Sequence, residues 1–225
     1  DTSATAAALT TLDGKTTVAV AAGNVTSLSG TATEVKAAYT ADAAGTIVLD
    51  NDEAVSVSGS VSVADANTIA GKTSGVVTAT IAEGDTSTLA TLNETGNAYT
   101  ITITDTSATA ANLTTIDAAT TVAVQAGNVT SLSGTATEVK AAYTADAAGT
   151  IVLDGDEAVS VSGSVSVADA NIIAGKTSGV VTATIAEGDL TTLAGLNETG
   201  HAYTVTVTDT SATAAALTTL DGKTT

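Results

Sequence analysis

The segment DTSATAAALTTLDGKTTVAV that begins at Asp1 returns at Asp105 as DTSATAANLTTIDAATTVAV, and at Asp209 as DTSATAAALTTLDGKTT. The period is 104 residues, and 1–104 differs from 105–208 at 13 positions. The chain therefore reads as repeat 1 (1–104), repeat 2 (105–208) and the start of repeat 3 (209–225), a window of a longer array. Near-identical tandem copies narrow the possible folds: each copy is either a complete domain or buries its apolar face against its neighbour. TITIT (100–104) runs straight into Asp105, and TVTVT (204–208) straight into Asp209. Independent tandem domains are usually joined by a polar hinge, so a continuous array without linkers is expected.

Each period alternates strand-like and helix-like stretches. YTITIT (99–104), VTSLSG (25–30), VSGSVSV (57–63) and VVTATIAEG (76–84) alternate apolar residues with Thr, Ser or Ala, as a strand with one buried face does. TTVAV (16–20) and TIVLD (46–50) are further short strand candidates. The stretches between them carry helix signals. Thr31-Ala32-Thr33-Glu34 has the pattern of a capping box, Asp85 is placed to cap the segment with Leu89 and Leu92, and Gly14, Gly71 and Gly96 are placed for left-handed helix ends. Leu9/Leu12, Leu89/Leu92 and Val35/Tyr39 give each helix a narrow apolar stripe, enough to lie on a sheet but too little to stand alone.

A strand followed by a short helix about four times per period predicts an α/β repeat solenoid, mainly β, with parallel strands stacked coil on coil and short helical stretches on the opposite side. At about 4.8 Å between strands, four or five coils advance roughly 19–24 Å per period. Differences between copies sort onto this picture. Leu12/Ile116, Ile101/Val205 and Ile103/Val207 conserve volume and are expected inside, whereas Lys15/Ala119 and Asn97/His201 are expected outside. Tandem immunoglobulin-like β-sandwiches are the alternative, because a period of 104 residues suits that size. Against them stand the Ala-rich helical stretches and the absence of Pro, Trp and Phe.

Composition excludes several functions. The formal charge is −18 and six Lys are the sole cationic side chains, so phosphate contacts of the kind nucleic-acid binding needs are not supplied. Docking on an anionic membrane is disfavoured for the same reason, and no apolar run reaches spanning length. There is no Cys, hence no disulfide framework. Catalysis is poorly supplied: the sole histidine, His201, is Asn97 in the other copy, and no nucleophile elbow or phosphate loop occurs. The chain is read as not an enzyme, requiring no cofactor.

The best ligand candidates are two acidic turns. LDNDEA supplies Asp50, Asp52 and Glu53, and LDGDEA supplies Asp154, Asp156 and Glu157. Clustered carboxylates with loop carbonyls suit calcium; a solvated turn between two strands is the plain alternative. The Thr runs at 100, 102 and 104 and at 204, 206 and 208 place hydroxyls on one strand face, where ordered water and ice binding are conceivable, although β-propensity explains Thr as well. Asn24, Asn93, Asn112, Asn128 and Asn197 lie in N-x-[ST] sequons, which a Thr-rich chain also produces by chance.

The phrases VTSLSGTATEVKAAYTADAAG, YTITITDTSATAANLTTIDAATTVAVQAGNVTSLSG and VSVSGSVSVADANTIAGKTSG resemble the strand repeats of giant bacterial cell-surface proteins, in particular those of cyanobacterial type. The resemblance covers essentially the whole chain and implies an exported, non-enzymatic surface or filament protein of the kind often associated with calcium. The calcium nonapeptide G-G-x-G-x-D is absent.

These readings converge on a structural repeat segment of an exported filament or cell-surface protein, extracellular, with its own copies as head-to-tail or lateral partners. Side-by-side packing needs the negative charge screened by salt or calcium. The alternative is a calcium-dependent adhesin that binds surface glycans or a neighbouring cell.

Overall fold

A computed structural model describes residues 1–225. Repeat 1 forms β1 (Ser3–Thr5), α1 (Ala6–Asp13), β2 (Val20–Ala21), β3 (Ser27–Thr31), α2 (Ala32–Ala43), β4 (Ile47–Val48), β5 (Ala54–Val61), α3 (Val63–Ala70), β6 (Val77–Ile81), α4 (Thr86–Leu89) and β7 (Ala98–Thr100). Repeat 2 gives the same order as β8 (Ser107–Thr109), α5 (Ala110–Ala119), β9 (Val124–Gln125), β10 (Ser131–Thr135), α6 (Ala136–Ala148), β11 (Ile151–Val152), β12 (Ala158–Val165), α7 (Val167–Ala174), β13 (Val181–Ile185), α8 (Leu190–Leu193) and β14 (Ala202–Thr204). The third copy contributes α9 (Ala214–Asp221).

The helices start where the sequence can satisfy their free N–H groups. Thr31 Oγ1 accepts the Glu34 N–H at 3.4 Å, while Glu34 Oε2 accepts the Thr31 N–H at 2.7 Å, which closes the expected capping box. Those Thr31 hydrogen bonds, backbone first and hydroxyl second, hold the Glu34 carboxyl below its usual value. Asp85 Oδ1 accepts from the Thr88 N–H at 2.8 Å and caps α4. The helix ends differ from expectation. Gly14 and Gly71 terminate α1 and α3 in the right-handed region (φ −67 and −69), their N–H groups bonding back into the last turn. Gly96 is left-handed (φ 78) but sits in the turn before β7 rather than at a helix end.

Both major sheets are wholly parallel. The first has the order β1-β3-β5-β6-β7, the second β14-β13-β12-β10-β8, and neither closes. This is an α/β fold; the antiparallel pairing that a β-sandwich requires is not seen. Strand order follows chain order, and one helix lies in each crossover: α1 between β1 and β3, α2 between β3 and β5, α3 between β5 and β6, α4 between β6 and β7. A second, short pair joins β2 to β4, with Val20 opposite Ile47. Register recurs from copy to copy: Leu28 faces Val55 as Leu132 faces Val159. Between β5 and β6 it slips at Ser56/Ser60, where Gly59 (φ 77) takes the left-handed geometry that lets the strand bulge.

Two compact units result. One comprises residues 1–102 with 116–124, the other 103–115 with 125–225. The first unit thus incorporates residues of the second sequence copy. Within it, Thr120 forms a parallel bridge to Asn97, and its hydroxyl accepts the Tyr99 N–H (3.0 Å) and donates to the Tyr99 carbonyl (2.8 Å). Thr224 of the third copy does the same for the second unit, bridging His201 and bonding both backbone groups of Tyr203. Within each unit the core is aliphatic, built on residues such as Leu28, Ile47, Ile69 and Leu89 in the first and Leu132, Ile151, Ile173 and Leu193 in the second.

Candidate functional site

The acidic turns fold inward at one residue and outward at the others. Asn51 takes φ 60 after β4, and Gly155 takes φ 73 at the matching position, which explains this difference between the copies: both residue types tolerate the left-handed region. The turn directs Glu53 into the protein, where it is fully buried. Its Oε1 accepts the Asn51 N–H at 3.1 Å and its Oε2 accepts the Tyr39 hydroxyl at 3.2 Å. Glu157 repeats this with Gly155 N–H (3.0 Å) and Tyr143 (3.1 Å). The Thr73 hydroxyl donates to the Glu53 carbonyl at 2.7 Å, and Asp42 Oδ1 accepts the Leu49 N–H at 2.9 Å. One polar knot therefore ties α2, the β4–β5 turn and the loop after α3. Burial, then the charge of Glu53, raises the Tyr39 phenol well above its usual value, so it remains a donor throughout the range of a folded protein.

Asp50, Asp52, Asp154 and Asp156 are all exposed. Asp50 lies against Gly23, where a Cβ would come 2.7 Å from its Oδ1; Asp154 stands in the same relation to Gly127 (2.9 Å). With Glu53 and Glu157 committed inward, the structure gathers no group of three or more acidic or imidazole side chains suited to an ion. The sequence alone does not identify Tyr39 and Thr73 as partners of Glu53, or Asp42 as the acceptor for the Leu49 N–H beside them. Their signal was faint: a Tyr in an otherwise small-residue repeat, 14 positions before a Glu.

The Asn97/His201 difference, expected at the surface, is interior: the two are 5% and 7% exposed. Both present an acceptor to the same donor. Asn97 Oδ1 accepts the Val77 N–H at 2.9 Å, and His201 Nδ1 accepts the Val181 N–H at 3.1 Å, which places the ring proton on Nε2. Burial lowers the His201 pKa, opposed in part by Glu198. The fold therefore binds this proton less well than the unfolded chain does. Stability is complete above the ordinary histidine value of about 6.5 and declines as pH falls below it toward the lowered value. Thermal melting from pH 7.5 to 5.0 is expected to fall more steeply in the parent chain than in His201→Asn, and equal slopes would contradict this role of the buried imidazole. Lys15/Ala119 also departs from expectation: Lys15 is exposed but Ala119 is 2% exposed.

The four tyrosines divide into two kinds. Tyr39 and Tyr143 hydroxyls are bonded to buried carboxylates, whereas the buried Tyr99 and Tyr203 hydroxyls have no partner. Burial, with the charge of Glu94, pushes the Tyr99 phenol up to about 12. An unpaired buried hydroxyl is a cost that its removal relieves. Tyr99→Phe is expected to raise the urea midpoint or leave it unchanged, whereas Tyr39→Phe lowers it; loss of stability in both would refute the distinction.

The Thr side chains at 100, 102, 104, 204, 206 and 208 are exposed. No helix is long and apolar enough to cross a membrane. No family model matches the chain, and no curated protein matches it.

Proposed function

We propose that this chain is a structural repeat segment of an exported filament or cell-surface protein, a solenoid in which each strand–helix coil is templated on the one before. The observation that carries this reading is the sequential, all-parallel strand order, repeated with the same register in both units. Such a sheet has no internal closure to complete, so coils can be added without redesign. The capture of Thr120 and Thr224 by preceding copies supports continuity across the sequence period. The chemistry of the polar knots supports it too, since their buried carboxylates are engaged in hydrogen bonds that tie neighbouring elements together.

At about 4.8 Å per strand, five strands per copy add roughly 24 Å. Small-angle scattering and electron microscopy at low salt, with and without chelator, test the reading. A rod whose length is indifferent to chelation is the expected result. Two beads on a flexible neck would overturn it, and a chelator-induced collapse would favour the calcium-dependent adhesin instead.

A further inference from the structure

Helices α2 and α3 run side by side in the same direction, because each lies in a crossover between parallel strands. Between them they leave a groove of about 410 Å³, wholly within the first unit. One end is closed by the ion pair of Lys36, in the second turn of α2, with Asp65, in the first turn of α3. Buried Tyr39 and Ile69 form the floor, with Thr40 and Ala43 on the α2 side and Thr68 on the α3 side. Lys72, just past the last turn of α3, stands at the other end.

What the groove offers a ligand follows from where its polar groups are already committed. The Tyr39 hydroxyl donates to Glu53 at 3.2 Å, which leaves its ring. The Thr40 hydroxyl donates to the Lys36 carbonyl at 2.7 Å and the Thr68 hydroxyl to the Ala64 carbonyl at 2.8 Å, which leaves each its methyl group. Lys36 is neutralised by Asp65. The Lys72 ammonium has neither a hydrogen bond nor an ion pair. The second unit repeats this set: Lys140 pairs with Asp169, Tyr143 donates to Glu157, Thr144 to the Lys140 carbonyl, and Lys176 is again without a partner. Its one change is Ile172 in place of Thr68, which puts one apolar wall where another was. Four of the chain's six lysines hold these positions, so the cations of a chain of charge −18 are gathered here rather than scattered.

We propose that the groove between α2 and α3 binds a small amphipathic anion, its apolar body lying along Tyr39, Ala43 and Thr68 and its single carboxylate on Lys72. Ligand pockets start at about 300 Å³, so a groove of this volume takes a short body. A cation of the same shape meets Lys72 as a like charge, and an anion without the body leaves the apolar walls in water. The net charge of the chain opposes any anion at a distance, but at physiological salt that repulsion is screened beyond about 8 Å. The site is built from one repeat and goes beyond the scaffold reading without resting on it.

Octanoate, octylammonium and acetate, titrated into the full-length protein at physiological salt and followed by NMR, test the site. The Thr68 resonances serve as the reporter, since Ile172 takes that position in the second unit. Octanoate is expected to shift them saturably, whereas octylammonium and acetate at equal concentration do not. Lys72→Gln is expected to weaken octanoate binding at Thr68 about tenfold, the worth of one charge-assisted hydrogen bond. Lys72→Arg retains it, and so does Lys176→Gln, which makes the same change in net charge elsewhere. The proposal is overturned by an absent or unsaturable octanoate shift, by octylammonium or acetate acting as octanoate does, by Lys72→Gln binding as the parent does, or by Lys176→Gln weakening binding at Thr68 equally.

Discussion

Gly75→Ala is expected to be among the most damaging single substitutions in repeat 1, with Gly179→Ala its equal in repeat 2. A Cβ at Gly75 would lie 2.2 Å from the Glu53 carbonyl oxygen and 2.4 Å from its carbon; at Gly179 the distances to Glu157 are 2.3 and 2.5 Å. The obstacle is backbone, so no rotamer change relieves it. It is also backbone that cannot retreat cheaply, since the Glu53 carbonyl accepts from Thr73 and its side chain is locked to Tyr39. Overpacking against such a site costs about 3 kcal/mol. Gly45→Ala is the control: its φ is 74 but nothing lies within 4 Å of the new atom. Backbone strain alone there amounts to about 1 kcal/mol. Urea unfolding of the two variants separates close approach from conformational strain, and equal losses would show that the Gly75 contact relaxes.

Glu53→Ala is the second large effect, expected to cost about 3 kcal/mol through the orphaned Tyr39 hydroxyl and the cavity left behind. The Asn51 N–H, at an exposed residue, can turn to water, so the phenol carries most of the loss. This gives a signature that lost packing alone would not. Tyr39→Phe is destabilising by itself, but in a Glu53→Met background it should cost nothing or restore stability, because the unpaired hydroxyl is then removed. If the two losses simply add, the pair is not coupled and the knot is not a unit.

The local grammar was legible because it rests on neighbours in sequence. The capping box at Thr31 and Glu34, the cap at Asp85, and the strands around 27–31 and 77–81 depend on residues within one element. The parallel α/β arrangement followed from strand–helix alternation with no hairpin turns. What sequence could not separate was inside from outside at positions where the side chain is small or polar. Asn97 and His201 look like surface variation until the Val77 and Val181 N–H groups are seen to need an acceptor. LDNDEA looks like a cluster because its acids are adjacent. The left-handed residue at 51 then sends Glu53 inward and leaves Asp50 and Asp52 outside. Leu12 and Ile116 share a position in the repeat but not an environment, and no pattern within one period carries that information.

The contacts that join successive strands also bear on how such a chain acquires its fold. Thr26 reaches back to Thr2, Thr73 to Glu53, and Lys36 pairs with Asp65, separations of 24, 20 and 29 residues. Loops of that size close quickly, and their length is set by one strand–helix unit rather than by the whole chain. Doubling the number of copies halves the relative contact order while leaving each closure step unchanged. A chain emerging end-first from the ribosome can therefore settle one strand–helix unit at a time, and assembly time per unit should be independent of total length.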